Sequence, residues 1–144
     1  MGKFALLIGI GEYQSSELQN LEAAILDVKA IEQVLVNPAI ADFAQSDVVV
    51  LLNPQPQQMR ESIERLFVNR RKDDLVLLYF SGHGLISDDS NFHLSCAGTD
   101  KRILNSTAIP ATFAHRLMEE SKSQRQVVIL DACFSGAFAR NMKA

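Results

Sequence analysis

Cysteine is scarce in this chain of 144 residues: only Cys96 and Cys133 are present. Two cysteines in a chain this size do not make a disulfide scaffold and fit thiols kept reduced in a cytoplasm. Together with three histidines they show no metal-ligand spacing, so no zinc site is expected. Positive charge is not in excess either. The formal net charge is -3, which gives no electrostatic reason to expect nucleic acid. The one dense basic run, Asn69-Arg70-Arg71-Lys72, is followed at once by Asp73 and Asp74 and fits a solvated helix end. No apolar stretch is long enough to cross a bilayer. The opening run Lys3 to Ile10 is too short for the core of a signal peptide, and no small-residue cleavage site follows it. The expected location is therefore the cytoplasm. Internal repeats, low-complexity tracts and linkers are also missing, so residues 1–144 are expected to form a single domain.

Short, continuous apolar runs alternate with amphipathic segments along the chain. Phe4 to Ile10, ending among Gly9 and Gly11, suits a strand buried on both faces of a parallel sheet. Leu21, Ala24, Ile25, Val28, Ile31 and Leu35 repeat at helical spacing up to Val36, where Asn37-Pro38 closes the helix. A second strand is expected over Asp47 to Leu52, and a helix from about Gln57 to Asn69 on Met59, Ile63, Leu66 and Phe67. Leu75 to Phe80 forms the third strand. Phe92 to Ser95 forms a short accessory strand after the turn Asp88-Asp89-Ser90-Asn91. Pro110 suits the first turn of a helix running to about Ser121. Val127 to Leu130 is the fourth strand. This alternation implies βαβ units: an α/β fold with a mostly parallel sheet and helices on both faces. A sheet whose last strand carries a reactive residue and then stops within about a dozen residues has an open edge, expected to be covered by more chain or a partner.

Ligands of such sheets gather at the carboxyl ends of the strands. Ser81-Gly82-His83-Gly84 follows the third strand there, and Cys133 follows the fourth. A thiol beside an imidazole is a nucleophile with its general base. Glycines on both sides of His83 leave it open to a substrate backbone, and Gly136 is expected to let the chain turn sharply behind Cys133. The competing structural reading is plain: most lone cysteines are small hydrophobes, and most lone histidines are structural. Cys96, His93 and His115 lack any such setting and are read as structural.

Tyr79-Phe80-Ser81-Gly82-His83-Gly84 and Leu130-Asp131-Ala132-Cys133-Phe134-Ser135-Gly136 resemble the two catalytic blocks of the caspase and metacaspase clan of cysteine peptidases. In caspases the histidine lies about 50 residues before the cysteine, which is the separation of His83 and Cys133. The strand Ala5 to Ile10, the helix holding Asp27 and the segment Asp74 to Phe80 also fit, so the resemblance covers essentially the whole chain. It implies the caspase-like three-layer sandwich. The nucleophile block reads Asp-Ala-Cys-Phe-Ser-Gly where animal caspases have Gln-Ala-Cys-Arg-Gly, which is closer to metacaspases and prokaryotic orthocaspases.

By this resemblance, His83 and Cys133 are the catalytic pair, and the backbone N–H groups of Gly84 and Cys133 form the oxyanion hole. Asp131 and Asp27 would line the pocket for the residue before the scissile bond, favouring Arg or Lys there by charge pairing. Ser81 would help shape it. The arginine with which animal caspases bind aspartate has no counterpart between Glu12 and Val28. The family divides into a large subunit holding His and Cys and a small subunit supplying the remaining strands. This sequence matches the large one, so the small subunit is an expected partner, beside a protein or peptide substrate; no membrane partner is implied. No cofactor is expected. Some metacaspases bind calcium through acids of the large subunit, a role open here to Asp88, Asp89 and Asp100, although loop acids ordinarily just solvate a turn. The basic tail Arg140-Asn141-Met142-Lys143-Ala144 would be open to self-cleavage. Two other readings compete: a caspase fold used as a regulatory or interaction module without turnover, and a flavodoxin- or receiver-like domain. The second lacks both a phosphate-cradling glycine run and the acid pair after the first strand.

Overall fold

The computed structural model describes residues 1–140, so residues 141–144 of the basic tail lie outside the described residues. Four parallel strands form the central sheet in the order β2-β1-β3-β7: β1 Lys3–Gly9, β2 Val48–Leu52, β3 Leu75–Ser81 and β7 Arg125–Asp131. β1 and β3 occupy the middle. Their unbroken apolar sequences follow from that place, because each residue meets a helix layer on one face or the other.

The alternation of side chains across the strands sorts the core into two layers. Ala5, Leu7, Leu77 and Tyr79 face α1 (Glu22–Val36), where Val28 and Leu35 meet them. Gly9 lets this helix settle close to the sheet: a Cβ there would come within 2.8 Å of Val28 and 3.1 Å of the Ala24 carbonyl. Leu6, Ile8, Val76, Leu78 and Phe80 face the other way, against Met59, Ile63, Leu66 and Phe67 of α2 (Pro56–Phe67) and Ala111 and Ala114 of α4 (Ala111–Glu120). Each Val, Leu, Ile, Met or Phe side chain so taken from water contributes about 1.5–3 kcal/mol.

A second, antiparallel sheet follows β3: β4 Gly84–Ile86, β5 Phe92–Leu94 and β6 Ile109–Pro110, in the order β4-β5-β6. A single helical turn, α3 (Leu104–Thr107), leads into β6. Phe92, Leu94 and Ile109 pack into the α2/α4 layer of the core, so this small sheet lies on that side of the main one. The basic run beyond α2 behaves as a helix end: the Arg70 guanidinium donates to the carbonyls of Leu66 and Arg65 and stacks 3.6 Å above the Phe4 ring.

Sequence and structure part at several points, α3 and β6 among them. β4 arises where the sequence suggests only a glycine-bracketed loop. Pro110 precedes α4 as its N-cap rather than entering its first turn. Gly136 does not turn the chain behind Cys133; it lies inside a 3-10 turn, Ser135–Ala139, and no glycine among the described residues has positive φ. The sharp turn falls on Phe134, at φ 61°.

Candidate active site

The chain leaves β3 at Ser81 and β7 at Asp131, and these two residues are register partners on the last rung of the ladder. The N–H of Gly82 donates to the Asp131 carbonyl at 3.3 Å, holding the strand ends together one residue further. His83 and Cys133 therefore each stand two residues past the same rung.

His83 is held from three directions. Its backbone N–H donates to the Tyr13 hydroxyl at 2.8 Å, and that hydroxyl in turn pairs with Ser95 Oγ at 2.7 Å. The Tyr13 and His83 rings lie 4.7 Å apart, inclined at 55°. The imidazole Nε2 sits 2.7 Å from the Gln19 carbonyl oxygen. A carbonyl can only accept, so Nε2 carries the hydrogen and the basic lone pair of the neutral ring is on Nδ1. Burial pushes the Tyr13 hydroxyl pKa up, only partly offset by its hydrogen bonds with His83 and Ser95, so it remains a neutral strut.

The segment supplying Tyr13 and Gln19 is anchored without regular structure. Asn53 Oδ1 accepts from the N–H groups of Gly11 (2.8 Å) and Glu12 (3.0 Å), and Asn20 Oδ1 from that of Tyr13 (2.9 Å). Asn53 reaches this position from a left-handed backbone, φ 55°. Sequence reading missed Tyr13 and Gln19. One belongs to a stretch with no periodicity, and the other acts through its backbone, which carries no side-chain signature.

Cys133 is exposed. The left-handed Phe134 after it is unusual for a bulky residue and costs about 1–3 kcal/mol, a strain typical of functional turns. Gly84 lies against the Cys133 carbonyl oxygen. A Cβ at position 84 would come closer to that oxygen than any real side chain does, and within 2.7 Å of the Phe92 ring. The Ser95 N–H donates to the His83 carbonyl, which makes Gly84–Leu94 a non-hydrogen-bonded pair of the β4–β5 ladder. The Gly84 N–H is thus left outside the ladder, next to the cysteine turn.

Asp27, Asp131 and Ser81 all bear on the Tyr79 hydroxyl. The hydroxyl of Tyr79 has its pKa raised by burial first, then by the charges of Asp27 and Asp131, while a hydrogen bond with Ser81 partly offsets them. Two carboxylates from different elements thus act on one point beside the strand ends. In the sequence Tyr79 stands out only as part of a strand and of the histidine block.

The remaining cysteine and histidines are buried. Cys96 lies with its sulfur 3.6 Å from that of Met59, and desolvation pushes its thiol pKa up to about 12. His93 sits between the Asn91 carbonyl and Asn105 Oδ1. His115 packs edge-on against Phe138 at 4.7 Å. Asp100 caps the 3-10 turn Lys101–Ile103 and pairs with Arg102 at 2.7 Å, while Asp89 bonds to Ser87 and Asn91. Among the described residues no three His, Cys, Asp or Glu side chains gather as a metal-ligand set. No helix among the described residues is long and apolar enough to cross a membrane.

Comparison with known proteins bears on family and fold. The family model described as Caspase domain matches residues 2–143. Metacaspase-7 of Arabidopsis thaliana is 28% identical over 153 aligned residues, which cover 99% of this chain and 37% of that protein. The chain therefore spans little more than a third of the length of this curated relative. Protein GSU0716 from Geobacter sulfurreducens, known from a crystal structure, shares the fold with a TM-score of 0.65 at 14% identity, over 92% of this chain and 51% of that one.

Proposed function

Since the chain belongs to the caspase domain family, a family of cysteine-type peptidases, we propose that it is the large catalytic part of an endopeptidase that cuts proteins after Arg or Lys through the pair Cys133 and His83. The observation that carries this reading is the shared rung Ser81–Asp131, which delivers both residues from adjacent strand ends.

The Cys133 thiol gives its proton to His83 Nδ1, the nitrogen left basic by the Gln19 carbonyl, and the thiolate sulfur attacks the scissile carbonyl carbon. The negative charge that develops on the carbonyl oxygen meets the N–H groups of Gly84 and Cys133. The C–N bond breaks as His83 passes its proton to the leaving amine, giving a thioester. Water then loses a proton to His83 and attacks the thioester, releasing the carboxyl product and returning the proton to the Cys133 sulfur. Asp27 and Asp131 receive the cationic side chain before the cut, beside the Ser81 and Tyr79 hydroxyls. Two carboxylates favour a guanidinium or ammonium and repel an aspartate.

The partner in this reading is a small subunit laid along β7. On the α1 side of the sheet the odd-numbered residues of β7 are uncovered, with Val127 43% and Ile129 44% exposed, and the strand lies at the sheet's edge. Added strands would cover that edge and form the other wall of the cleft.

Asp27→Asn and Asp131→Asn test the specificity. Each is expected to lower kcat/KM for peptides cut after Arg by about 10–100-fold, the loss of one charge-assisted contact. Unchanged selectivity in both variants would remove the acidic pocket from the account.

A further inference from the structure

On the far side of the nucleophile from the acidic cluster lies a groove of about 880 Å³ that the mechanism above leaves unused. Its lining is mixed: Leu85 and Ile86 of β4, Ile103 and Leu104 ahead of β6, and Phe134 supply the apolar part, and polar or charged residues, Asp88, Asp89, Lys101 and Arg102 among them, supply the rest. Ile103 is 55% and Phe134 64% exposed, among the most exposed large apolar side chains of the molecule, and both face the same cavity. Scattered exposed hydrophobes need no explanation, but apolar residues converging on one concavity mark a binding surface.

The groove adjoins the candidate active site through its neighbours in the chain. Phe134 is bonded to Cys133, Leu85 is bonded to Gly84, and Gly84 lies against the Cys133 carbonyl oxygen. Phe134 is held in its exposed position by a left-handed backbone, a conformation that local packing alone would not favour for an aromatic residue. The main sheet separates the two recognition surfaces. Asp131 continues the face of β7 that α1 fronts, the face of Tyr79 and Asp27, whereas β4 and β5 belong to the small sheet on the α2/α4 side. A peptide crossing Cys133 with its cationic side chain at Asp27 and Asp131 therefore runs onward over β4 and Phe134.

We propose that this groove receives an apolar side chain of the substrate on the leaving-group side of the scissile bond, making Phe134 and Ile103 specificity-determining residues. The proposal rests on the peptidase reading and adds a second requirement to it. The preferred sequence combines a basic residue before the cut with an aliphatic or aromatic one within the first few residues after it. An extended chain advances about 3.3–3.6 Å per residue, so the first three residues beyond the cut can reach the groove.

Internally quenched peptides test it, using the complete peptidase with its small subunit. All carry Arg before the cut, with Leu, Gly or Asp placed in turn at each of the three following positions. Leu is expected to exceed Gly and Asp by about tenfold or more in kcat/KM at one position at least. That ratio, measured within each protein, should collapse in Ile103→Glu, a change at an exposed site. Equal turnover of the Leu, Gly and Asp peptides, or a preference that survives Ile103→Glu, overturns the groove. An Arg-aminocoumarin substrate, which has no residue beyond the cut, separates the two readings. If it is hydrolysed while the preference is missing, only the groove falls. If neither it nor any peptide is hydrolysed, both fall.

Discussion

Ser81 and Asp131 face each other on the final rung of the β3–β7 ladder, and each begins a turn that presents a reactive side chain two residues later. Parallel strands in register keep their carboxyl ends level, so equal offsets from one rung bring His83 and Cys133 to the same end of the sheet. No loop has to cross the molecule to unite them. The pairing also leaves one tight contact, between Gly84 and the Cys133 carbonyl, on which the mutual placement of the two turns depends.

Gly84→Ala is expected to disrupt that contact. Its Cβ would meet a backbone oxygen and the Phe92 ring, neither of which can swing aside as a flexible chain end would. The expected loss is about 1–3 kcal/mol of stability, with a fall in kcat because the two turns are pushed apart. Thermal unfolding and steady-state kinetics on the same preparation check it.

Tyr13→Phe removes one oxygen and leaves two partners, the half-buried His83 N–H and the buried Ser95 hydroxyl, without their bond. Denaturant titration should show a cost of about 1–3 kcal/mol. Because Tyr13 positions His83 without touching substrate, kcat should fall while KM changes little. A change in KM alone would contradict that role.

The two thiols should differ sharply in reactivity. Cys96 is buried with its pKa pushed up to about 12, so hardly any thiolate forms near neutrality, whereas Cys133 is exposed. Iodoacetamide under native conditions is expected to add one group per chain, mapped by mass spectrometry to Cys133. Equal labelling of Cys96 would mean that its enclosure is wrong.

Asp74 is buried and accepts from the N–H groups of Gly2 (2.8 Å) and Arg71 (2.7 Å). Those bonds, the Arg71 one foremost, hold its carboxyl below the usual range. Its stabilising contribution is therefore complete above the unfolded pKa of about 3.9 and lost as pH falls through the lower folded value. Asp74→Asn should be less stable than the parent at pH 7, with the gap narrowing in acid below about pH 4. A gap that stays constant with pH would assign the effect to packing.

The fold was legible because its strongest signals are long and apolar: β1, β3 and the helix Glu22–Val36 follow hydrophobic runs and spacings that admit one reading. β7 was legible as well, although its alternating exposure differs from the continuous burial of the inner strands. β4 was not, since three residues after a glycine carry no periodicity and pair only because β5 lies beside them. In the candidate site, His83, Cys133, Asp27, Asp131 and Ser81 stood out by motif. Tyr13 and Gln19 did not, because one acts through a hydroxyl brought from a distant loop and the other through a backbone carbonyl. The turn assigned to Gly136 shows the opposite error: glycine permits a left-handed backbone, but here Phe134 adopts it.

The most direct measurement is hydrolysis of fluorogenic peptides ending in Arg, Lys or Asp by the chain combined with its small subunit, beside Cys133→Ala. The account predicts cleavage after Arg and Lys that vanishes in the variant. Cleavage after Asp would keep the cysteine peptidase but contradict the acidic pocket of Asp27 and Asp131. No turnover of any peptide, with calcium added or withheld, would contradict the catalytic pair and leave a caspase fold used for regulation or binding.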